Sequence, residues 1–144
     1  MKALTISQPF ASLIADGAKW VENRRWETFY RGPLLIHAGK GTQYLDADEL
    51  RDYPAGCVVA VCDLAACLHV DKIRIMDDSV DRKSVIKGTR RNWSEIARHE
   101  HTEGPFCFVL ENVRKLPQPI PFRGAQGLWV PSSELVTLVT KGSV

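Results

Sequence analysis

The sequence is poor in the features that mark specialised protein classes. Cysteine occurs only four times, at Cys57, Cys62, Cys67 and Cys107, and no two form a CxxC pair. That excludes a zinc ribbon and a thioredoxin-like redox pair. Three of the four lie in an apolar run rich in valine, alanine and leucine, where free thiols act as small hydrophobes. No apolar stretch approaches the ~18 residues of a membrane span. The longest candidate, from Gly56 to Val70, is interrupted by Asp63 and His69. The N-terminus lacks the pattern of a signal peptide, since Ser7, Gln8 and Pro9 break the short apolar run after Lys2. Reduced thiols without a leader or span predict a cytoplasmic protein. An excess of one charge is also missing. The net charge is +2, so a nucleic-acid partner has to be argued from where the charges sit. Repeats, low-complexity segments and βαβ alternation are absent, which excludes solenoids and doubly wound sheets.

What is present fits one domain of average globular composition. With 144 residues, 44% hydrophobic and 25% charged, the chain is long enough to bury a core without disulfide or metal support. Ala3 to Ser7 alternates in polarity and predicts a strand. Pro9 suits the first turn of a helix, with Ser7 or Gln8 near its cap, and Phe10, Leu13 and Ile14 share one face before the stop at Gly17. Val21 to Phe29 predicts a charged second strand, with Glu22, Arg24 and Trp26 on one face and Val21, Asn23 and Arg25 on the other. Leu34 to Ala38 predicts a third strand, and Thr42 to Tyr53 a surface helix. Cys57 to Leu68 reads as a central strand, and residues 71–104 as a basic, partly helical insertion. Phe106 to Leu110 predicts a strand, continuing to Leu116 before Pro117, Pro119 and Pro121. Leu135 to Val139 is a terminal strand or short helix. The sum is an α+β domain with about six strands in a small mixed barrel and flanking helices.

Several of these segments resemble a known family. Leu4-Thr5-Ile6-Ser7-Gln8-Pro9-Phe10-Ala11 is followed by Gly17-Ala18-Lys19-Trp20-Val21-Glu22-Asn23-Arg24, then Trp26, Arg31-Gly32 and Ile36-His37-Ala38. In that order they resemble the ASCH domain (activating signal cointegrator homology), a branch of the PUA-like superfamily whose signature is GxKxxExR. The resemblance implies a PUA-like barrel, residues 1–144, with a polar cleft facing the signature. It also implies RNA binding, a transcription-coactivator type of protein interaction, or, in one branch, hydrolysis of N4-acetylcytidine-like nucleosides.

The chemistry expected of the signature follows from its charges. Glu22 between Lys19 and Arg24 stays ionised, because adjacent positive charge favours the carboxylate. It can accept from an exocyclic amine, while Lys19 and Arg24 hold a phosphate or carbonyl oxygen. The competing reading is a salt-bridge network that only stabilises the sheet. The expected ligand site comprises Gln8, Lys19, Glu22, Arg24, His37 and Trp129. In the amidohydrolase branch a threonine nucleophile stands where this chain has Glu22. Catalysis, if any, would therefore fall to Lys19 and Glu22, and a binding module without cofactor is the favoured expectation.

A phosphate backbone would be held by Arg25, Arg31, Arg82, Lys83, Lys87, Arg90 and Arg91, although the run from Arg82 to Arg91 reads equally as solvated surface. Trp20 and Trp26 are either stacking platforms or packing. His99, His101 and Cys107 lack a fourth ligand at zinc spacing, so no metal is assigned. Ser12 has no partnered His and Asp nearby in sequence. The expected partner is RNA, another nucleic acid or a nucleoside.

Overall fold

The computed structural model describes residues 1–142. Six strands form one sheet in the order β2-β5-β4-β3-β1-β6, from β1 (Lys2–Ile6), β2 (Val21–Arg24), β3 (Gly32–Ala38), β4 (Cys57–His69), β5 (Phe106–Pro121) and β6 (Leu128–Trp129). Four α-helices accompany it: α1 (Phe10–Ala15), α2 (Val70–Asp77), α3 (Trp93–Arg98) and α4 (Ser133–Gly142). The α+β class expected from the sequence is the one observed.

The chain divides into two compact units. The first gathers residues 1–18, 33–62 and the segment from Asn112 onward. Within it β1 pairs with β3 in parallel, Thr5 opposite His37, and with β6 in antiparallel, Ala3 opposite Trp129. Its core is Ala3, Leu35, Val58, Val61, Leu116, Leu135 and Val139. Cys57 through Cys62 are all buried, as befits a strand covered on both faces. Helix α1 ends where Gly17, at φ +86°, lets the Ala18 N–H reach back to the Leu13 carbonyl at 3.0 Å.

The second unit holds Lys19–Gly32 and Asp63–Glu111. Here β2 runs antiparallel to β5, Glu22 opposite Phe108. Val21, Ala66, Val70, Ile73, Ile86, Trp93, Ile96, Cys107 and Val109 form its core. Helix α3 opens with a reciprocal cap: Asn92 accepts from the Glu95 N–H, and Glu95 accepts from the Asn92 N–H. Residues 71–104 hold α2 from Asp71 onward and the whole of α3, joined by turns and irregular segments.

Three segments differ from expectation. Residues 42–53 form turns and one 3-10 turn, Glu49–Arg51, instead of a helix. Asp46 and Glu49 exchange side-chain bonds with each other's backbone N–H there, at 3.1 and 3.2 Å, and fix a local turn that competes with helix propagation. Strand β2 stops at Arg24, before Phe29. Thr28 supplies the reason: its Oγ1 accepts from the Tyr30 N–H at 3.1 Å and its carbonyl from Arg31 Nη1 at 3.0 Å. Strand β5 runs through all three prolines instead of ending at Leu116. Pro117, Pro119 and Pro121 alternate, so the missing N–H groups fall on one edge of the strand and leave its other edge able to pair. The terminal segment, open between strand and helix, is helix α4, with Leu135 and Val139 buried four residues apart.

Candidate functional site

The first unit contains a cleft of about 840 Å³, lined by Thr5, His37, Gly39, Lys40, Gly56 and residues 121–126. Thr5, His37 and Phe122 of its lining belong to one hydrogen-bonded chain. Trp129 Nε1–H donates to Thr5 Oγ1 at 3.1 Å, Thr5 Oγ1 lies 3.2 Å from His37 Nδ1, and His37 Nε2 lies 2.7 Å from the Phe122 carbonyl. The rings of Phe122 and Trp129 stack at 5.9 Å and 4°. His37 meets Trp129 edge-on at 5.8 Å. Two cations border the space, Lys40 and Arg123. Both are exposed, and neither has an ion-pair partner among the described residues.

Gly124 is what brings the wall so close. A Cβ on it would lie 2.5 Å from Thr5 Oγ1 and 2.6 Å from His37 Nδ1, so only glycine packs this closely against the Thr5–His37 pair. Gln8, also in this unit, is buried and turned to structural use. It donates to Ser12 Oγ and to the Pro54 carbonyl, and accepts from the Ser12 N–H, each at 2.9 Å. Ser12 is therefore part of a local clamp on α1.

The second unit contains the signature cluster. Glu22 Oε1 is 2.8 Å from Lys19 Nζ, and Oε2 is 2.8 Å from Arg24 Nη2 and 3.0 Å from Nε. Lys19 also donates to the Val21 carbonyl. Lys19 is 3% exposed and Glu22 7%, whereas the Arg24 side chain retains 22% exposure. The one carboxylate and two cations converge as expected of the motif, with Arg24 as the member that reaches water. The opposite face of β2 is structural: Val21 enters the core, and Asn23 Oδ1 accepts from the Glu103 and Gly104 N–H groups at 3.0 and 2.8 Å.

Around Trp20 the second unit builds a stack that the sequence did not announce. His99 lies against the ring at 4.3 Å and accepts the Trp20 N–H at Nε2, and the Arg91 guanidinium sits 4.0 Å from a Trp20 ring centroid. Burial first, then the charges of His101, Lys19 and Arg91, hold His99 down to about 4. Burial likewise pushes the Cys107 thiol up to about 11, with Cys67 next in effect, so Cys107 stays a neutral core thiol. Among the described residues no three His, Cys, Asp or Glu side chains are grouped to hold a metal.

The basic run divides into engaged and open members. Arg82 is tied to Asp77 at 3.6 Å and Ser94 Oγ at 3.3 Å, and Arg91 to Trp20 and Glu95. Lys83, Lys87 and Arg90 are exposed, with no ion pair among the described residues. Arg25 is exposed too, while Arg31 spends Nη1 on the Thr28 and Tyr30 carbonyls. Trp26 packs edge-on against Phe108 at 5.2 Å.

These features define a PUA-like α+β domain. The chain belongs to the ASCH domain family, whose match runs over residues 4–119. It is 26% identical over 155 residues to activating signal cointegrator 1 of Homo sapiens, and equally so to that of Mus musculus, over 96% of this chain but 24% of each relative. The chain thus spans about a quarter of the length of these curated relatives. Its fold is similar to the crystal structure of an ASCH protein from Zymomonas mobilis. A serine-to-alanine variant of that protein gives a TM-score of 0.58 at 20% identity, covering 99% of this chain and 96% of that one. The structure without a named substitution gives 0.57 at 18%, covering 96% and 93%. At these identities the likeness concerns the fold alone. No helix among the described residues is long and apolar enough to cross a membrane.

Proposed function

We propose that this chain is an RNA-binding domain that takes one nucleotide into the cleft of the first unit. The observation that carries the reading is the pair of unneutralised cations, Lys40 and Arg123, bordering a cleft whose wall includes Phe122, itself stacked on Trp129. Exposed cations without carboxylate partners are available to phosphate, and aromatic faces accept bases of any sequence, each stacked base worth about 1–3 kcal/mol. The volume suits one nucleotide, being within the range of small-ligand clefts. Lys83, Lys87 and Arg90, exposed on the second unit, are a separate set of cations available to phosphate.

Fluorescence anisotropy with a short single-stranded RNA over a range of salt tests this. Affinity falls with salt, and the double variant Lys40→Glu/Arg123→Glu weakens binding at every salt and flattens the slope by about 0.7 for each phosphate no longer held. RNA affinity unchanged in that variant contradicts the assignment. A protein-interaction role of the coactivator type is the second reading, supported by the similarity to activating signal cointegrator 1. It gains if neither RNA nor nucleosides shift the thermal melt. The cytidine amidohydrolase reading draws no support from Glu22, whose two oxygens are bound by Lys19 and Arg24.

A further inference from the structure

Gly56 links two walls of the cleft in the first unit. Its N–H donates to the Ala38 carbonyl at 2.8 Å, and its own carbonyl accepts from the Phe122 N–H at 3.0 Å. Lys40 lies along it so closely that a Cβ would stand 2.7 Å from Lys40 Cε and 3.5 Å from Cγ. At φ +66° the position also favours glycine, so the Lys40 stem rests on backbone tied to β3. Phe122 is pinned a second time, by His37 Nε2 at 2.7 Å from its carbonyl. From this anchor the chain runs through Arg123, Gly124, Ala125 and Gln126, all of which line the cleft. None of their four N–H groups is bonded to another described residue. Among the described residues, no aspartate or glutamate lines the cleft. Thr5 and His37 are engaged with each other, with Trp129 and with Phe122. What the cleft offers a ligand is two cations and a run of backbone donors.

We infer that the cleft receives a phosphate monoester at the end of an RNA strand in preference to a phosphodiester within it. The inference rests on the RNA-binding reading and names the part of the strand that is held. An internal phosphodiester carries a single negative charge. A terminal monoester carries a charge of about −1.5 to −2 and one more acceptor oxygen. Two cations with no carboxylate beside them balance the monoester better than the diester. The Arg123 guanidinium presents a planar fork to two oxygens, and the Lys40 ammonium adds a point charge. The remaining oxygen falls to backbone N–H groups, donors that successive loop residues commonly turn to anions. Arg123, Ala125 and Gln126 are exposed, so a strand end reaches this segment from solvent.

Calorimetric titration with one short single-stranded RNA, prepared with hydroxyl ends, a 5′-phosphate or a 3′-phosphate, tests this. A phosphate at one end or the other should tighten binding about tenfold, the low end for one charge-assisted hydrogen bond. The hydroxyl-ended RNA lengthened by one nucleotide adds a phosphodiester instead, and should gain less than about twofold. Methyl esterification of the preferred terminal phosphate removes one charge and keeps the phosphorus in place, and should cancel most of the advantage. Lys40→Gln/Arg123→Gln should bring phosphorylated and hydroxyl-ended RNA to nearly equal affinity. Equal affinity of the wild-type protein for all three RNAs overturns the inference and leaves RNA binding standing. So does an equal gain from the added nucleotide, an undiminished advantage in the methyl ester, or one that survives the double variant. Failure of every RNA to bind overturns both readings. A double variant that does not fold still leaves the wild-type comparisons as deciding measurements.

Discussion

Replacing Glu22 by glutamine removes one charge from a buried triad without changing its shape, and the cost can be worked from the contacts. Three charge-assisted bonds converge on the carboxylate, at 2.8, 2.8 and 3.0 Å. Lys19, 3% exposed, cannot turn to water when the negative charge goes, whereas Arg24 with 22% side-chain exposure can rehydrate in part. Breaking one side of a buried pair costs about 3–5 kcal/mol, and the relief available to Arg24 puts Glu22→Gln near 3. For a chain of this length that is roughly 6–12 °C in Tm. Guanidinium denaturation should show a lower midpoint with an unchanged m-value. The double variant Lys19→Met/Glu22→Leu should return to within about 1 kcal/mol of wild type, since well-packed apolar residues replace a buried pair at little cost. A loss below about 1 kcal/mol for Glu22→Gln would mean that the triad behaves as a surface salt bridge, and the reasoning would fail.

Further outcomes follow from the same contacts. His99 sits near 4 in the folded protein against 6.5 as its ordinary value. Between those values the unfolded chain takes up a proton that the folded one refuses. Stability is thus unaffected above about pH 6.5, falls as pH drops, and has lost its full share below about pH 4. Because His99 is only partly buried, the share is about 1–2 kcal/mol, and melts at neutral and acidic pH should show that much less acid sensitivity in His99→Gln. Asn92→Ala removes the reciprocal cap of α3 and should cost about 1 kcal/mol in chemical denaturation, with an unchanged midpoint counting against the cap. Gly104→Ala meets a φ of +87° and the Val70 side chain at 2.6 Å. It should destabilise by more than about 1 kcal/mol, and a neutral result would contradict the close packing described.

Much of the fold could be read from short-range pattern. The strand, helix and glycine turn of residues 2–18 follow from alternation, i, i+3, i+4 spacing and a positive-φ stop, and the apolar run from Cys57 to Cys62 identifies a doubly covered strand. What escaped was decided by interactions outside the pattern. Side-chain bonds within residues 46–49 favour turns over a helix, and the alternation of three prolines lets β5 continue where a single proline reads as a stop. The grouping of Lys19, Glu22 and Arg24 was legible because strand period 2 sets Glu22 and Arg24 on one face, but the burial of Lys19 depends on packing that spacing does not encode. The cleft was hardest to foresee. Thr5, Lys40 and Arg123 come from three distant segments, and the close packing of Gly124 on Thr5 and His37 depends on a missing Cβ that no spacing encodes.

The four tryptophans, Trp20, Trp26, Trp93 and Trp129, make the central claim directly observable. In a two-dimensional NMR titration with short single-stranded RNA, the indole N–H resonance of Trp129, bonded to Thr5, should shift progressively and saturate. A titration that moves the Trp20 indole beside Arg91 while leaving Trp129 in place would put the RNA elsewhere and contradict the account.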